Sequence, residues 1–220
     1  MSDRFAYLKS PTGSENRESF FKRIALIYPR SDTRYIDIER AYDTAETTFK
    51  EKIRADGDGY FEHLRSAALI MIDILRVTDP RLIMAELLHD ITEDFPDEWP
   101  IVRVSREFGK DVGRLVDYMT MPSVIEYPEK SERHLAYYRR FPGAPREFWI
   151  EKAPDRLHNI WTLKIFNVEK RRAKIEETYR YYLPYLEKHM ILYHEMVEAL
   201  QVAEKELEGE SDYLPWEGTE

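Results

Sequence analysis

Apolar residues recur every three to four positions along almost the whole of this 220-residue chain, and no run alternates β-branched with polar residues as a half-buried strand would. That spacing points to an all-α fold. Ile38, Ala41, Tyr42, Ala45 and Phe49 mark one face of a helix within 35–55, and Ala67, Ala68, Met71, Ile74 and Leu75 mark another within 62–78. Asp79 before Pro80 is a helix start, because the carboxylate caps free amides and proline fits the first turn. The helix it opens is expected to run on through ELLHDITEDF, residues 86–95. Asp97 is expected to open a helix ending near Gly109, with Val112, Leu115, Val116 and Met119 outlining the next. Residues 120–130, with Pro122 and Pro128, read as a loop. Helical spacing resumes over 131–141, 146–166 and 168–207, where Pro154 and Pro184 should each break or kink the helix. Ile191, Met196, Leu200 and Ala203 are assigned to the core. Residues 1–208 are expected to form one domain, and 209–220, with Asp212 and Trp216, a poorly packed tail.

Apolar residues make up 43% of the chain and charged residues 34%, enough for a real core. The absence of cysteine excludes disulfides, thiolate metal sites and a cysteine nucleophile, leaving His, Asp and Glu as side-chain metal ligands. A net charge of −9 argues against a nucleic-acid partner held on a broad basic face. A small anionic substrate needs only local cations, which Arg54, Lys152, Arg156 and Lys164 offer, followed by Lys170, Arg171 and Arg172. With no leader and no apolar run of about 18 residues, the protein is expected to be soluble, cytoplasmic and free of the membrane.

ELLHDITEDF packs His89, Asp90, Glu93 and Asp94 into six positions. On one helix, residues four apart share a side, so the four would converge while Leu87, Leu88 and Ile91 anchor the opposite side. Clustered, partly buried carboxylates cost several kcal/mol per uncompensated charge, and a divalent cation would resolve this. Taken alone, the ten residues also suit a solvated acidic helix end. Two further segments bear on the choice. GYFEHLRSAALIM, 59–71, places His63 at the start of an apolar helix, and KAPDRLHNIWTL, 152–163, sets Asp155 and Asn159 four apart with Leu157 and Ile160 facing away.

His63, then His89 with Asp90, then a distant Asp155 resembles the pattern of the HD-domain phosphohydrolases. More specifically, RADGDGYFEHL, LLHDITEDF and KAPDRLHNIWTL resemble the RKSGEPYxxHP, LLHDxxED and KxADRLHNxxTL motifs of the RelA/SpoT hydrolase domain. That domain removes the 3′-diphosphate from alarmones such as ppGpp. The likeness runs from about residue 20 to 190, since IERAYDTAETTF and KIEETYRYYLPYL also look like its flanking helices.

The resemblance implies a multi-helix HD-domain bundle with His63, His89, Asp90 and Asp155 as ligands of Mn2+. It implies Glu93 and Asp94 as the catalytic acidic pair, one accepting or orienting a proton of the attacking water. Arg54 falls where the family packs an arginine on the purine, and Tyr60, Asn159 and Thr162 fall near the nucleotide. His158 is no ligand in the family and is assigned a structural part. The implied activity is metal-dependent 3′-pyrophosphohydrolysis of (p)ppGpp-like alarmones. Alternatives are an HD phosphohydrolase of another nucleotide, such as an NADPH 2′-phosphatase, nucleotidase or phosphodiesterase, and a non-catalytic alarmone-binding module.

The chain departs from the pattern at Ala55 and Asp56, where the family has lysine and serine, at Leu64 for proline, and at Pro154 for alanine. These changes leave the preferred nucleotide open. With no room for synthetase or regulatory domains, a stand-alone small alarmone hydrolase is expected. The oligomeric state has no signature in the sequence.

Overall fold

The computed structural model describes residues 6–9, 15–55, 57 and 59–208. The expected tail at 209–220 and Asp56 lie outside these residues. The chain begins with α1 (Ala6–Lys9), α2 (Arg17–Ile27), α3 (Thr33–Thr48), α4 (Tyr60–Asp73), α5 (Pro80–Leu88) and the single turn α6 (Ile91–Asp94). It continues with α7 (Ile101–Phe108), α8 (Lys110–Met119), α9 (Lys130–Tyr138), α10 (Arg146–Trp161), α11 (Val168–Glu177), α12 (Leu183–His189) and α13 (Tyr193–Glu208). Among the described residues there is no strand, only an isolated bridge between Ile53 and Gly59. The all-α expectation holds, and no helix among these residues is long and apolar enough to cross a membrane.

Local chemistry accounts for most boundaries. Asn16 and Ser19 cap α2 reciprocally, each side-chain oxygen accepting the other's backbone N–H, at 3.0 and 2.9 Å. Asp79 accepts from Arg81 N–H and Pro80 fills the first turn of α5, as the sequence indicates. Several helices are shorter than their spacing suggests. α3 stops at Thr48, and Tyr60 N–H closes the following loop onto Lys52 O at 2.8 Å. α4 stops at Asp73 because Arg76 turns left-handed, φ 59°. α7 begins after Pro100 rather than at Asp97, since proline disfavours helical geometry in Trp99 before it.

Of the two interior prolines expected to break or kink their helices, Pro184 follows an interruption of the α-helix and Pro154 does not break its own. α10 runs unbroken through Pro154, packed against α4, α5, α8, α12 and α13. Those neighbours hold the helix despite one missing backbone donor. Ahead of Pro184 the chain widens into a π-turn, Thr178–Tyr182, in which Leu183 N–H reaches Thr178 O five residues back. A second, sharper interruption follows at Met190 and Leu192, both left-handed with φ 54° and 49°.

The core lies where α4, α5 and α10 meet. α4 is buried on every side from His63 to Ile72, and α5 packs on α3, α4 and α8. The faces read from the sequence on α3 and α8 are buried, as are Ile191, Met196, Leu200 and Ala203. Trp149, fully buried, stacks on Tyr185 with ring centroids 4.7 Å apart.

Candidate metal centre and cavity

The helix expected through residues 80–95 is interrupted at His89 and Asp90. In a continuous helix the Glu86 carbonyl would accept from Asp90 N–H. Instead His89 Nδ1 donates to it at 2.8 Å. The side chain thereby ends α5, and Asp90 takes φ −97° and ψ −2° before α6 begins. This turn carries His89 and Asp90 toward His63 on α4 and Asp155 on α10.

His89 Nε2 lies 3.2 Å from Asp90 Oδ2 and 3.7 Å from Asp155 Oδ1, and His63 Nε2 lies 3.1 Å from Asp155 Oδ1. One ligand atom each from His63, His89 and Asp90 falls within a mutual 4.8 Å. The four expected ligands are therefore brought together from three helical regions far apart in sequence. Each has a fixing partner. Tyr60 Oη donates to Asp90 Oδ2 at 2.6 Å, while Asn159 Nδ2 and Lys152 Nζ donate to the two oxygens of Asp155 at 2.7 Å each. His89 Nε2 is buried and has no hydrogen-bond partner, since Asp90 approaches it off axis. An orphaned imidazole nitrogen facing two carboxylates is the geometry of a divalent-cation site, and two imidazoles with two carboxylates fit such an ion.

Electrostatics agree with this arrangement. Burial opposes ionisation of Asp155, but the Lys152 ammonium and both histidines outweigh it and hold the carboxyl well below its usual range. Burial likewise opposes ionisation of Asp90, and His89 overrides it. Glu93 and Asp94 shift the other way: burial raises both, with Asp90 adding repulsion and Lys52 opposing the rise at Asp94. Adjacent on the single turn α6, Glu93 and Asp94 meet different partners. Glu93 lines a cavity and accepts from Met121 N–H at 3.0 Å, whereas Asp94 pairs with Lys52.

The cavity measures about 560 Å3, with His63, Asp90 and Asp155 in its wall. Eight cations line it, Lys52, Arg54, Lys130, Arg133, Lys152, Arg156, Lys170 and Lys174, against four carboxylates, Asp90, Glu93, Asp155 and Glu177. A second depression of about 500 Å3 along α3 has only Arg40 against Glu39, Asp43 and Glu98, and contains no histidine.

Of the expected nucleotide contacts, Arg54, Tyr60 and Asn159 line the cavity. Arg54 lies along α10, donating to Asn159 Oδ1 at 3.3 Å, Thr162 Oγ1 at 3.2 Å and His158 Nδ1 at 3.3 Å. Thr162 thus meets the site through Arg54. Sequence reasoning missed Lys52, Lys130, Arg133 and Lys174, whose spacing is that of ordinary solvated helix charges. It also set aside His158, which sits 2.8 Å from His63 Nδ1.

A GTP pyrophosphokinase of Streptomyces antibioticus is 34% identical over 149 residues, covering 67% of this chain and 17% of that protein. The guanosine-3′,5′-bis(diphosphate) 3′-pyrophosphohydrolase of Aquifex aeolicus is 30% identical over 176 residues, covering 80% of this chain and 24% of that protein. The chain spans about a quarter or less of the length of these curated relatives. Among solved structures, a metazoan ortholog of SpoT that hydrolyses ppGpp shares the fold, with a TM-score of 0.66 at 20% identity, covering 81% of this chain and 97% of that one. The family model for the HD domain matches residues 41–185, a range that contains every helix contributing to the His-Asp cluster, and the chain belongs to the HD-domain family.

Proposed function

We propose that this protein is a divalent-metal-dependent phosphohydrolase that removes the 3′-diphosphate from ppGpp-like nucleotides, yielding pyrophosphate and the nucleoside 5′-di- or triphosphate. The observation that carries the reading is a His2Asp2 cluster of which His63, Asp90 and Asp155 line a cavity with eight cations and four carboxylates, in a chain of net charge −9. Such a cavity favours a multiply phosphorylated ligand, and the hydrolase relatives suggest which one.

His63, His89, Asp90 and Asp155 would hold the ion, Mn2+ in this reading. When bound, it supplies Lewis-acid polarisation of a phosphoryl oxygen and acidifies water beside it. Glu93, in the cavity wall and with its carboxyl raised by burial, accepts the proton of the attacking water. The water oxygen bonds to the ribose-proximal phosphorus of the 3′-diphosphate as the bond to the 3′-oxygen breaks, and that oxygen leaves as the ribose hydroxyl by taking up a proton from solvent. Arg54 and Tyr60 contact the nucleotide, and Asn159 and Thr162 act on it by holding Arg54 and Asp155.

The test is pyrophosphate release from ppGpp by the purified, Mn(II)-loaded protein. Turnover no greater than that of a His89→Ala control rejects the reading. Turnover confined to adenosine alarmones or NADPH in a nucleotide panel keeps the metal centre and replaces the substrate.

A further inference from the structure

We infer that Arg54 and His158 are positioning residues for the metal ligand His63, acting through the hydrogen-bonded series Arg54, His158, His63. This rests on the proposed metal centre and extends it to two residues that touch no metal. His158 is fully buried on α10, three residues beyond Asp155, so a single helix supplies both a carboxylate ligand and the group behind an imidazole ligand. The His158 and His63 rings lie 4.9 Å apart, with the two Nδ1 atoms at 2.8 Å.

Which nitrogen carries each proton follows from Arg54. A guanidinium has donors and no acceptor. Its Nη1 lies 3.3 Å from His158 Nδ1, so that nitrogen is the acceptor and the proton of His158 is on Nε2. His63 Nδ1, at 2.8 Å from the same acceptor, is then the N–H that donates. His63 Nε2, within hydrogen-bond distance of Asp155 Oδ1 at 3.1 Å, is then the nitrogen whose lone pair a cation held between the two would take. The opposite assignment would set two donors, Arg54 and His158 Nδ1–H, against each other. Arg54 therefore selects the tautomer of a ring it does not touch, and that tautomer presents Nε2 to a cation. Asn159 and Thr162 fix Arg54 in this position by accepting from its other terminal nitrogen.

The experiment measures Mn(II) binding to the full chain by titration calorimetry without nucleotide. His158→Leu removes the acceptor. His158→Asn keeps an acceptor oxygen near the place of Nδ1. Arg54→Met keeps the aliphatic stem and removes the donors. Loss of an outer-shell partner weakens metal binding by about 10- to 100-fold, so His158→Leu and Arg54→Met should each weaken it about 10-fold or more. His158→Asn should stay within about threefold of the unsubstituted protein.

Circular dichroism checks folding. Should His158→Leu fail to fold, Arg54→Met on the half-exposed loop decides alone, because a residue that met only nucleotide would leave Mn(II) affinity unchanged. Unchanged affinity in Arg54→Met, or equal impairment of the Asn and Leu variants, overturns the inference. If the unsubstituted protein binds no divalent ion, the proposed metal centre fails as well. Tight binding in that protein with unchanged variants overturns only the series.

Discussion

Glu93 accepts a backbone hydrogen bond from Met121 inside the cavity wall, while Asp94, the next residue, is ion-paired with Lys52. Adjacent residues on a helical turn point about 100° apart, so the two meet different surroundings. The interruption at His89, which sets where α6 begins, arises from a side-chain bond to the Glu86 carbonyl that periodicity does not encode. Glu93→Gln should therefore lower turnover by about 10²- to 10⁴-fold, the usual worth of a positioned proton acceptor, while Mn(II) binding persists. Asp94→Asn loses a partly exposed ion pair of small worth and should lower turnover by less than about tenfold. Turnover and calorimetry on the two variants check this, and a larger loss in Asp94→Asn would move the proton acceptor there. His63, His89, Asp90 and Asp155 were legible because they recur in motifs. His158 was not, since its importance depends on the ring it meets from a helix about 95 residues away.

Helix type and most apolar faces followed from spacing, but the ends of helices followed from bonds across the chain. α7 and α8 show how closely two elements can be fitted. A Cβ built on Gly113 of α8 would lie 2.0 Å from Ser105 Oγ and 2.9 Å from the Ser105 backbone on α7. Gly113 is thus required by the approach of two helices rather than by its own backbone. Gly113→Ala should destabilise the fold by about 1–3 kcal/mol, as overpacking does, measured by urea unfolding. Adding Ser105→Ala should recover only part of this, because the clash with the Ser105 backbone remains; full recovery would show that the hydroxyl alone was in the way. Pro154 argues the same point in reverse. Local propensity asks for a break there, and the helices packed around α10 override it.

Across the whole molecule, a chain with nine excess negative charges gathers eight of its cations around one cavity. They come from the 50–59 loop, α9, α10 and α11, so no local stretch announces them. The same packing sets acids where they are costly. Glu151 on α10 and Glu86 on α5 are fully buried, and none of their carboxylate oxygens has a hydrogen-bond partner among the described residues. Burial first, and then the neighbouring Glu86 charge, push Glu151 well above its ordinary value of 4.5, and burial pushes Glu86 up to about 8. A carboxyl raised by folding binds its proton more tightly in the native state than in the unfolded chain. Its contribution is present in full below pH 4.5 and is lost as pH rises through the native value. The contribution of these two acids to stability should accordingly fall between about pH 5 and pH 8. Glu151→Leu removes one of these acids and fills similar space, so it should stabilise the protein at about pH 8 by about 1–3 kcal/mol, the cost of an unpaired buried polar group. The gain should shrink toward about pH 5, where the acid is already protonated. Urea unfolding at the two pH values decides it, and an equal gain at both would show that folding does not raise the Glu151 carboxyl into this range.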